Sequence, residues 1–304
     1  MNQAGVRALQ SGDLKAALSQ FQAALQLDPK SAEAEFNLGL TLVRLGRPEK
    51  AVVPLQRVVS NAALSAEARY LLGTCYFQLL EHDKAVAVLK DLPEGPRTEH
   101  VLYMLEESNR MLGHAAEARD AFRQLNRRFP DSAWTHYLLA VAYENQPAFD
   151  KAIEEYKTAL ARDPKLPNAA FAIGYLYWRQ QDTENAKLWL EKQVEAQPCH
   201  ALAVFYLGQI ARAEQDKAAA EKYFRNSLAC DADSVEAHLR LGITLDEMNQ
   251  NTEALRELKR AVELAPNNAT AHYRLALIYR KLGRTKDSEA EYDAVRRIKA
   301  AEQH

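Results

Sequence analysis

The sequence predicts an all-α protein, a solenoid of tandem antiparallel helix pairs. Three observations predict it. Residue types recur every 34 positions, as in Gly174, Gly208 and Gly242; a small residue recurs early in each repeat; and a large apolar residue follows it sixteen positions later. A period of this length is typical of a helix–turn–helix unit, which can bury its apolar face only against neighbouring units.

Two positions of the repeat carry small residues. With the small residue of the first helix numbered 8, position 8 reads Gly5, Gly39, Gly73, Glu106, Ala140, Gly174, Gly208, Gly242 and Ala276. Position 20 in the second helix reads Ala17, Ala51, Ala85, Ala118, Ala152, Ala186, Ala220, Ala254 and Ser288. Helices approach closely where side chains are small, so these positions predict the contact between helix A and helix B of each pair.

A large residue at position 24 fills the space beside that contact in every repeat. These residues are Phe21, Leu55, Leu89, Phe122, Tyr156, Leu190, Phe224, Leu258 and Tyr292. Together with apolar residues at position 7, they give each helix an apolar stripe. Proline at position 32 of five repeats ends helix B, because proline lacks the backbone N–H that a helix needs.

The spacing divides residues 1–304, predicted to form a single solenoid, into nine units. Their approximate bounds are 1–31, 32–65, 66–98, 99–132, 133–166, 167–200, 201–234, 235–268 and 269–302. One step is 33 residues rather than 34, and segment 91–97 contains Pro93 where the third helix B should finish. We expect Pro93 to shorten that helix, and a bend or hinge at 91–97.

These residues resemble the tetratricopeptide repeat family along essentially the whole chain. The resemblance implies a right-handed superhelix in which the A helices line a concave groove that binds proteins or peptides without catalysis. Two specialised groups are disfavoured. Three consecutive units with the basic and Asn residues of the carboxylate clamp do not occur, and position 6 carries a single Asn, Asn37, instead of an asparagine ladder.

The charge balance disfavours other classes of partner. The formal net charge is −2, from 39 Lys plus Arg and 41 Asp plus Glu, so no global field attracts nucleic acid or an anionic membrane. No apolar run of about 18 residues predicts a membrane span, and the N-terminus lacks the pattern of a signal peptide. We expect no nucleic-acid partner, no membrane insertion, and a cytoplasmic location, or a periplasmic one if a signal peptide has been removed.

Residues capable of chemistry are scattered. Cys75, Cys199 and Cys230 lie far apart without a C-x-x-C pair, which favours free thiols over a disulfide framework or a zinc site. His136, His238 and His272 share position 4 of different repeats, which favours packing roles. The sequence therefore predicts no catalytic residue, no metal site and no cofactor.

The family resemblance implies that positions 2, 5, 9, 12 and 13 face the groove. Aromatic residues occupy them at Phe36, Tyr70, Phe77, Tyr103, Trp134, Tyr137, Phe171, Tyr175, Trp178 and Phe205. Basic residues follow near the groove at Arg212, Arg240 and Arg274. Aromatic rings offer large contact area and arginine suits an acidic segment, so this set is the candidate binding site. Packing of the same rings is an open alternative.

These observations predict a scaffold that binds a peptide segment or partner protein in its concave groove. One alternative is the recognition or adaptor region of a larger enzyme, or of a secretion or envelope assembly. Another is a structural solenoid that associates with itself. The first unit begins at about its fourth position and the last has no polar capping helix, which predicts a fragment of a longer protein or a homo-oligomer through uncapped ends.

Overall fold

A computed structural model describes residues 1–61 and 63–301 of the chain, and the regular elements in these ranges are eighteen helices. The first nine are α1 (Asn2–Gln10), α2 (Leu14–Leu27), α3 (Ala32–Arg44), α4 (Pro48–Val58), α5 (Ser65–Gln78), α6 (His82–Leu89), α7 (Thr98–Met111), α8 (Ala115–Arg128) and α9 (Ala133–Glu144). The others are α10 (Phe149–Arg162), α11 (Ala169–Arg179), α12 (Thr183–Ala196), α13 (Ala201–Ala213), α14 (Lys217–Cys230), α15 (Val235–Glu247), α16 (Asn251–Leu264), α17 (Ala269–Lys281) and α18 (Thr285–Ala301). The predicted all-α class with packed helix pairs is confirmed.

Short polar side chains start many of these helices. Asp13, Ser31, Asp216 and Ser234 each accept a hydrogen bond from the backbone N–H three residues later, at the start of α2, α3, α14 and α15. Such a cap pairs one of the N–H groups that has no partner inside the helix. The sequence thus marks where the chain turns between helices.

Close approach of helix A to helix B occurs where the sequence predicts it. A Cβ atom added at Gly5 would lie 2.5 Å from the Phe21 ring, and the corresponding distance at Gly73 is 2.4 Å to Leu89. The other four position-8 glycines give 2.6 to 2.8 Å to their own position-24 side chains. No side chain fits at such a distance, so these glycines are required by packing rather than by backbone conformation.

The chain forms two compact units, each larger than a single repeat. We call them unit 1 (Met1–Ala142) and unit 2 (Tyr143–His304). The core of unit 1 contains Leu55, Leu72 and Leu89 between successive helix pairs. The core of unit 2 contains Leu190, Phe224 and Leu258 in the equivalent places. Each unit therefore buries several position-24 side chains of its own, Leu55 and Leu89 in unit 1 and Leu190, Phe224 and Leu258 in unit 2.

Helix α6 is the shortest of the helices described, with eight residues, while α2, α8 and α10 have fourteen each. It ends at Leu89, four residues before Pro93, because a proline ring clashes with the carbonyl group four positions earlier in a helix. The prediction that Pro93 shortens this helix is confirmed. The bend predicted at 91–97 stays a prediction; this segment lies inside unit 1.

The prediction of free thiols at Cys199 and Cys230 is wrong. These two residues form a disulfide, with Cα atoms 5.3 Å apart, while Cys75 is free and buried. Cys199 lies in the turn before α13, and Cys230 ends α14 one helix pair later. Their separation of 31 residues is close to one repeat, so stacking brings the two sites together although they are distant in sequence. The search for short motifs could not detect this.

Two of the position-4 histidines join helix A to helix B of their own repeats. His238 Nδ1 lies 2.8 Å from Glu257 Oε2, and its Nε2 lies 3.0 Å from the Ala232 carbonyl oxygen. His272 makes the same pair of contacts with Glu291 and the Pro266 carbonyl, at 2.5 and 2.9 Å. Both rings have polar partners on each nitrogen, so their role here is structural.

Candidate functional site

The first candidate site is a group of rings in unit 2, Phe171, Tyr175, Trp178 and Tyr206, which we call the unit-2 aromatic cluster. Helix α11 carries the first three at helical spacing, and α13 carries Tyr206. The Tyr206 ring centroid lies 4.7 Å from that of Trp178 and 5.2 Å from that of Tyr175. All four side chains are half-buried, so each leaves part of its surface accessible.

Burial changes the pKa of the Tyr206 hydroxyl in this cluster. It raises the pKa of the Tyr206 hydroxyl to about 12, and the neighbouring Tyr175 hydroxyl adds to the effect. The Tyr206 phenol is therefore neutral at physiological pH and available as a hydrogen-bond donor or acceptor.

His200 supports one side of the cluster. Its ring centroid lies 4.8 Å from that of Phe171. Its Nδ1 accepts the Ala203 N–H at 3.1 Å and so caps α13, which leaves Nε2 to donate to Asn168 Oδ1 at 3.2 Å. Because Cys199 precedes His200, the disulfide lies beside the residue that supports the Phe171 ring.

An open cavity of about 580 Å³ adjoins the cluster at Trp178. Arg212, Lys217, Arg240 and Glu247 contribute its charged walls. Arg212 Nη2 bonds to Glu247 Oε1 at 2.5 Å, whereas Arg212 Nε is buried and meets no hydrogen-bond acceptor within the two described ranges. Three cations against one carboxylate give this cavity a positive balance.

The other predicted arginines also lie on A helices of unit 2. Arg240 Nε donates to Glu236 Oε1 at 2.8 Å, one turn earlier on α15. Arg274 on α17 is half-buried, and its Nε has no acceptor among the residues that the structure describes. The structure brings Arg212 and Arg240 to one cavity with Trp178 and does not place Arg274 among its walls.

A second group of rings lies in unit 1, where Tyr70, Phe77, His100, Tyr103 and Trp134 form the unit-1 aromatic cluster. Trp134 stacks on Tyr103 with centroids 4.0 Å apart and on His100 at 4.8 Å. The Tyr70 hydroxyl lies 2.7 Å from His100 Nδ1. These rings pack on one another, and all except Tyr103 are half-buried.

The electrostatics of the unit-1 cluster favour neutral rings. Burial lowers the pKa of His100 to about 4, with a smaller contribution from nearby Arg97, so the imidazole is uncharged at neutral pH. Burial also raises the pKa of the Tyr103 hydroxyl far above its usual range. The Arg97 guanidinium lies over the Tyr70 ring at 4.3 Å and pairs with Glu67 at 2.5 Å.

The remaining predicted aromatic residues, Phe36, Tyr137 and Phe205, belong to neither cluster as defined above. Phe36 lines a separate cavity of about 590 Å³ with Val6 and Asn37 on α1 and α3. Tyr137 packs edge-on against Tyr103 at 5.8 Å. Phe205 is 7% exposed and packs against Phe224, which places it in the core of unit 2.

Sequence reasoning missed two members of these clusters, His100 and Tyr206. His100 occupies position 2, but the aromatic set predicted for the groove contained only Phe, Tyr and Trp. Tyr206 occupies position 6, which the family resemblance does not place among the groove-facing positions. A search for any ring at positions 2 and 6 would have found both.

Other chemistry is limited within the part of the chain described. No group of three or more His, Cys, Asp or Glu side chains there is arranged to hold a metal ion. None of the helices in residues 1–61 and 63–301 combines the length and apolar character needed to cross a membrane.

Profiles of known families match most of the chain. Those described as tetratricopeptide repeats match residues 111–167, 168–235 and 269–301, and one described as TPR repeat matches 245–283. The chain belongs to the tetratricopeptide repeat family. A profile described as anaphase-promoting complex, cyclosome, subunit 3 matches residues 10–92.

Individual relatives are distant. The chain is 22% identical to superkiller complex protein 3 of Homo sapiens over 315 residues, covering 96% of this chain and 20% of that protein. Among solved structures, the APC/C hetero-tetramer Cut9–Hcn1 is similar with a TM-score of 0.69 and 17% identity, over 94% of this chain and 56% of that chain. YrrB, described as a TPR protein with an unusual peptide-binding site, has a TM-score of 0.50 and 20% identity over 59% of this chain and 92% of its own. At these identities the likeness shows the fold.

Proposed function

We propose that this tetratricopeptide repeat protein is a non-catalytic interaction scaffold whose A helices bind a peptide segment or partner protein. The observation that carries the proposal is the junction of the unit-2 aromatic cluster with the positively charged cavity at Trp178. Half-buried rings offer apolar contact, and the cavity offers guanidinium and ammonium groups for carboxylates. An acidic segment that also carries an apolar side chain suits both surfaces.

The names and descriptions of similar proteins support this proposal. The names of superkiller complex protein 3 and of the Cut9–Hcn1 hetero-tetramer refer to protein complexes, and the description of YrrB refers to a peptide-binding site. Members of one fold family differ in function through the side chains on a shared scaffold. The partner of this chain therefore depends on its own groove-facing residues.

Affinity capture tests the proposal. The full chain serves as bait in an extract of its native cell, and captured proteins are quantified by mass spectrometry for the wild type and for Trp178→Ala combined with Tyr175→Ala. We expect specific partners to be depleted about tenfold or more by the double variant, since aromatic anchors contribute most of the energy of typical interfaces.

Trp189→Ala is the matched control. Trp189 lies on α12, a B helix, where Lys192 covers its ring at 4.0 Å. This variant should keep the partners that the double variant loses, and circular dichroism should show equal helix content in all three proteins. Equal capture by the wild type and the double variant would contradict the proposal.

A second candidate function is the adaptor region of a larger protein or assembly. It is favoured by the coverage, because the chain spans a fifth of superkiller complex protein 3 and just over half of the chain matched in the Cut9–Hcn1 tetramer. The reading frame around the coding sequence tests this candidate. A continuous frame into another domain supports it, and in-frame stop codons on both sides contradict it.

A further inference from the structure

The fourth repeat departs from the rule that governs the others. Glu106 on α7 occupies position 8, the point of closest approach, where every other repeat has Gly or Ala. At six of these positions an added Cβ atom would already lie within 2.8 Å of the facing side chain. A glutamate cannot enter the contact unless its neighbours move.

The facing residue, Phe122 on α8, is less buried than most of its equivalents in other repeats. It is half-buried, whereas Phe21 and Phe224 at the same position of other repeats are fully buried. A cavity of about 280 Å³ results between α7, α8 and α9 of unit 1. Its apolar walls come from Ala118, Phe122, Leu138 and Ala142.

Glu106 places a carboxylate in this cavity. Its Oε2 atom is buried and has no hydrogen-bond partner within residues 1–61 and 63–301. Burial raises the pKa of Glu106 to about 7, with a further increase from Glu107 and a decrease from Arg110. A buried carboxylate without a partner is costly, so a hydrogen-bond donor that carries positive charge would stabilise it.

Arg110 and Arg119 also line the cavity, but neither supplies that donor. Arg110 is held by Glu107, with an Nε to Oε2 distance of 3.2 Å and a second bond from Nη2. Arg119 is exposed, and its Nε donates to the Ala115 carbonyl oxygen at 3.0 Å. Neither guanidinium bonds to Glu106 Oε2, so this oxygen keeps no donor among the described residues and lies in a cavity with apolar walls.

We infer that this cavity binds the primary ammonium group of a lysine side chain from a partner protein. The ammonium group donates to Glu106 Oε2, and the four methylene groups of the lysine stem contact Phe122, Leu138 and Ala142. Binding requires the ionised carboxylate, so affinity rises as the pH increases through about 7. This site lies in unit 1 and does not depend on the aromatic cluster of unit 2.

Nuclear magnetic resonance on the full chain tests the inference. Nα-acetyl-lysine N-methylamide is titrated at pH 8 while the methyl signals of Ala118 and Ala142 are followed. The norleucine analogue, which keeps the stem and lacks the ammonium group, is the matched neutral probe. We expect saturable shifts with the lysine compound. The wild type should bind the norleucine compound at least about tenfold more weakly, and Glu106→Gln should bind the lysine compound at least about tenfold more weakly than the wild type does.

Glu117→Gln provides the protein control, because Glu117 is an exposed carboxylate of α8 outside this cavity. It should bind the lysine compound as the wild type does. Equal binding of the norleucine compound, an unchanged affinity in Glu106→Gln, or the absence of saturable shifts overturns the inference. Binding of n-butylamine without binding of the lysine compound also overturns it, because the cavity would then accept a free amine and exclude a side chain.

Discussion

The two aromatic clusters contain similar residues on A helices but differ in what the rings contact. In unit 1, Trp134 stacks on Tyr103 at 4.0 Å, and Tyr70 reaches His100 through its hydroxyl. In unit 2, Trp178 lies against Tyr206 and borders an open, positively charged cavity. The comparison shows that position in the repeat places a ring on an A helix, while its neighbours decide whether it stacks on other rings or borders a cavity.

The disulfide of unit 2 offers the first test of this difference between the units, and its reduction has the largest expected effect on stability. Reduction of the Cys199–Cys230 disulfide should lower the free energy of unfolding of unit 2 by about 4 kcal/mol, because the bond closes a loop of 31 residues. Hydrogen exchange with and without reductant should show the loss in α12 to α14 and leave α3 to α7 unchanged.

Cys75 makes the control for this experiment. It is buried in unit 1, and burial raises the pKa of its thiol to about 12, so it should resist thiol reagents in the folded protein. The combined variant Cys199→Ser and Cys230→Ser should reproduce the effect of reductant. Equal protection of α12 to α14 in both redox states would contradict the expectation.

Removing one tryptophan from each cluster tests the comparison directly. Trp134→Ala should lower the free energy of unfolding by about 3 kcal/mol because stacked neighbours lose their contacts, and Trp178→Ala by about 1 kcal/mol because its ring borders a cavity. Urea denaturation followed by circular dichroism measures both. Partner capture should change in the opposite order, and a larger stability loss for Trp178→Ala would reverse our distinction between the clusters.

The helix contacts should respond alike in both units. Gly73→Ala and Gly208→Ala each place a methyl group less than 3 Å from a buried side chain, so each should cost about 2 kcal/mol of stability. Gly95→Ala is the control, since its Cβ would meet no atom within 4 Å. Thermal unfolding measures the effect, and melting temperatures of the two core variants equal to that of the wild type would contradict the prediction.

Glu106→Ala has the smallest expected effect and the opposite sign. Restoring a small residue lets Phe122 enter the contact, and we expect about 1 kcal/mol of added stability at pH 8, after allowance for the partial exposure of Glu106. The raised pKa means that wild-type Glu106 favours folding below about pH 4.5, and that this contribution is lost as the pH rises through about 7. The gain of the variant over the wild type should therefore shrink at pH 5, and urea titrations at both pH values measure it.

Much of the fold was predictable because its rule is local and repeated. Gly174 faces Leu190 and Gly208 faces Phe224, as the spacing of sixteen residues predicts. The effect of Pro93 on α6 also follows from the chemistry of one residue. Such features depend on short sequence separations, which a period of 34 residues makes visible.

The site was less predictable because it depends on contacts between repeats. The sequence identified Trp134 and Trp178 as equal candidates, yet only their neighbours distinguish a stacked ring from one beside a cavity. The pairing of Cys199 with Cys230 likewise depends on how successive turns stack. These contacts join residues about one repeat apart, and the choice among several possible partners is made by packing.

The distribution of tryptophan gives the protein built-in optical reporters. The chain has three, with Trp134 in unit 1 and Trp178 and Trp189 in unit 2. In a Trp189→Phe background, a further Trp→Phe change leaves one tryptophan, either stacked on Tyr103 or next to Tyr206, whose emission can be excited selectively over that of tyrosine. Fluorescence of these two proteins would record the unfolding of each unit separately, and show whether the units melt together or in sequence.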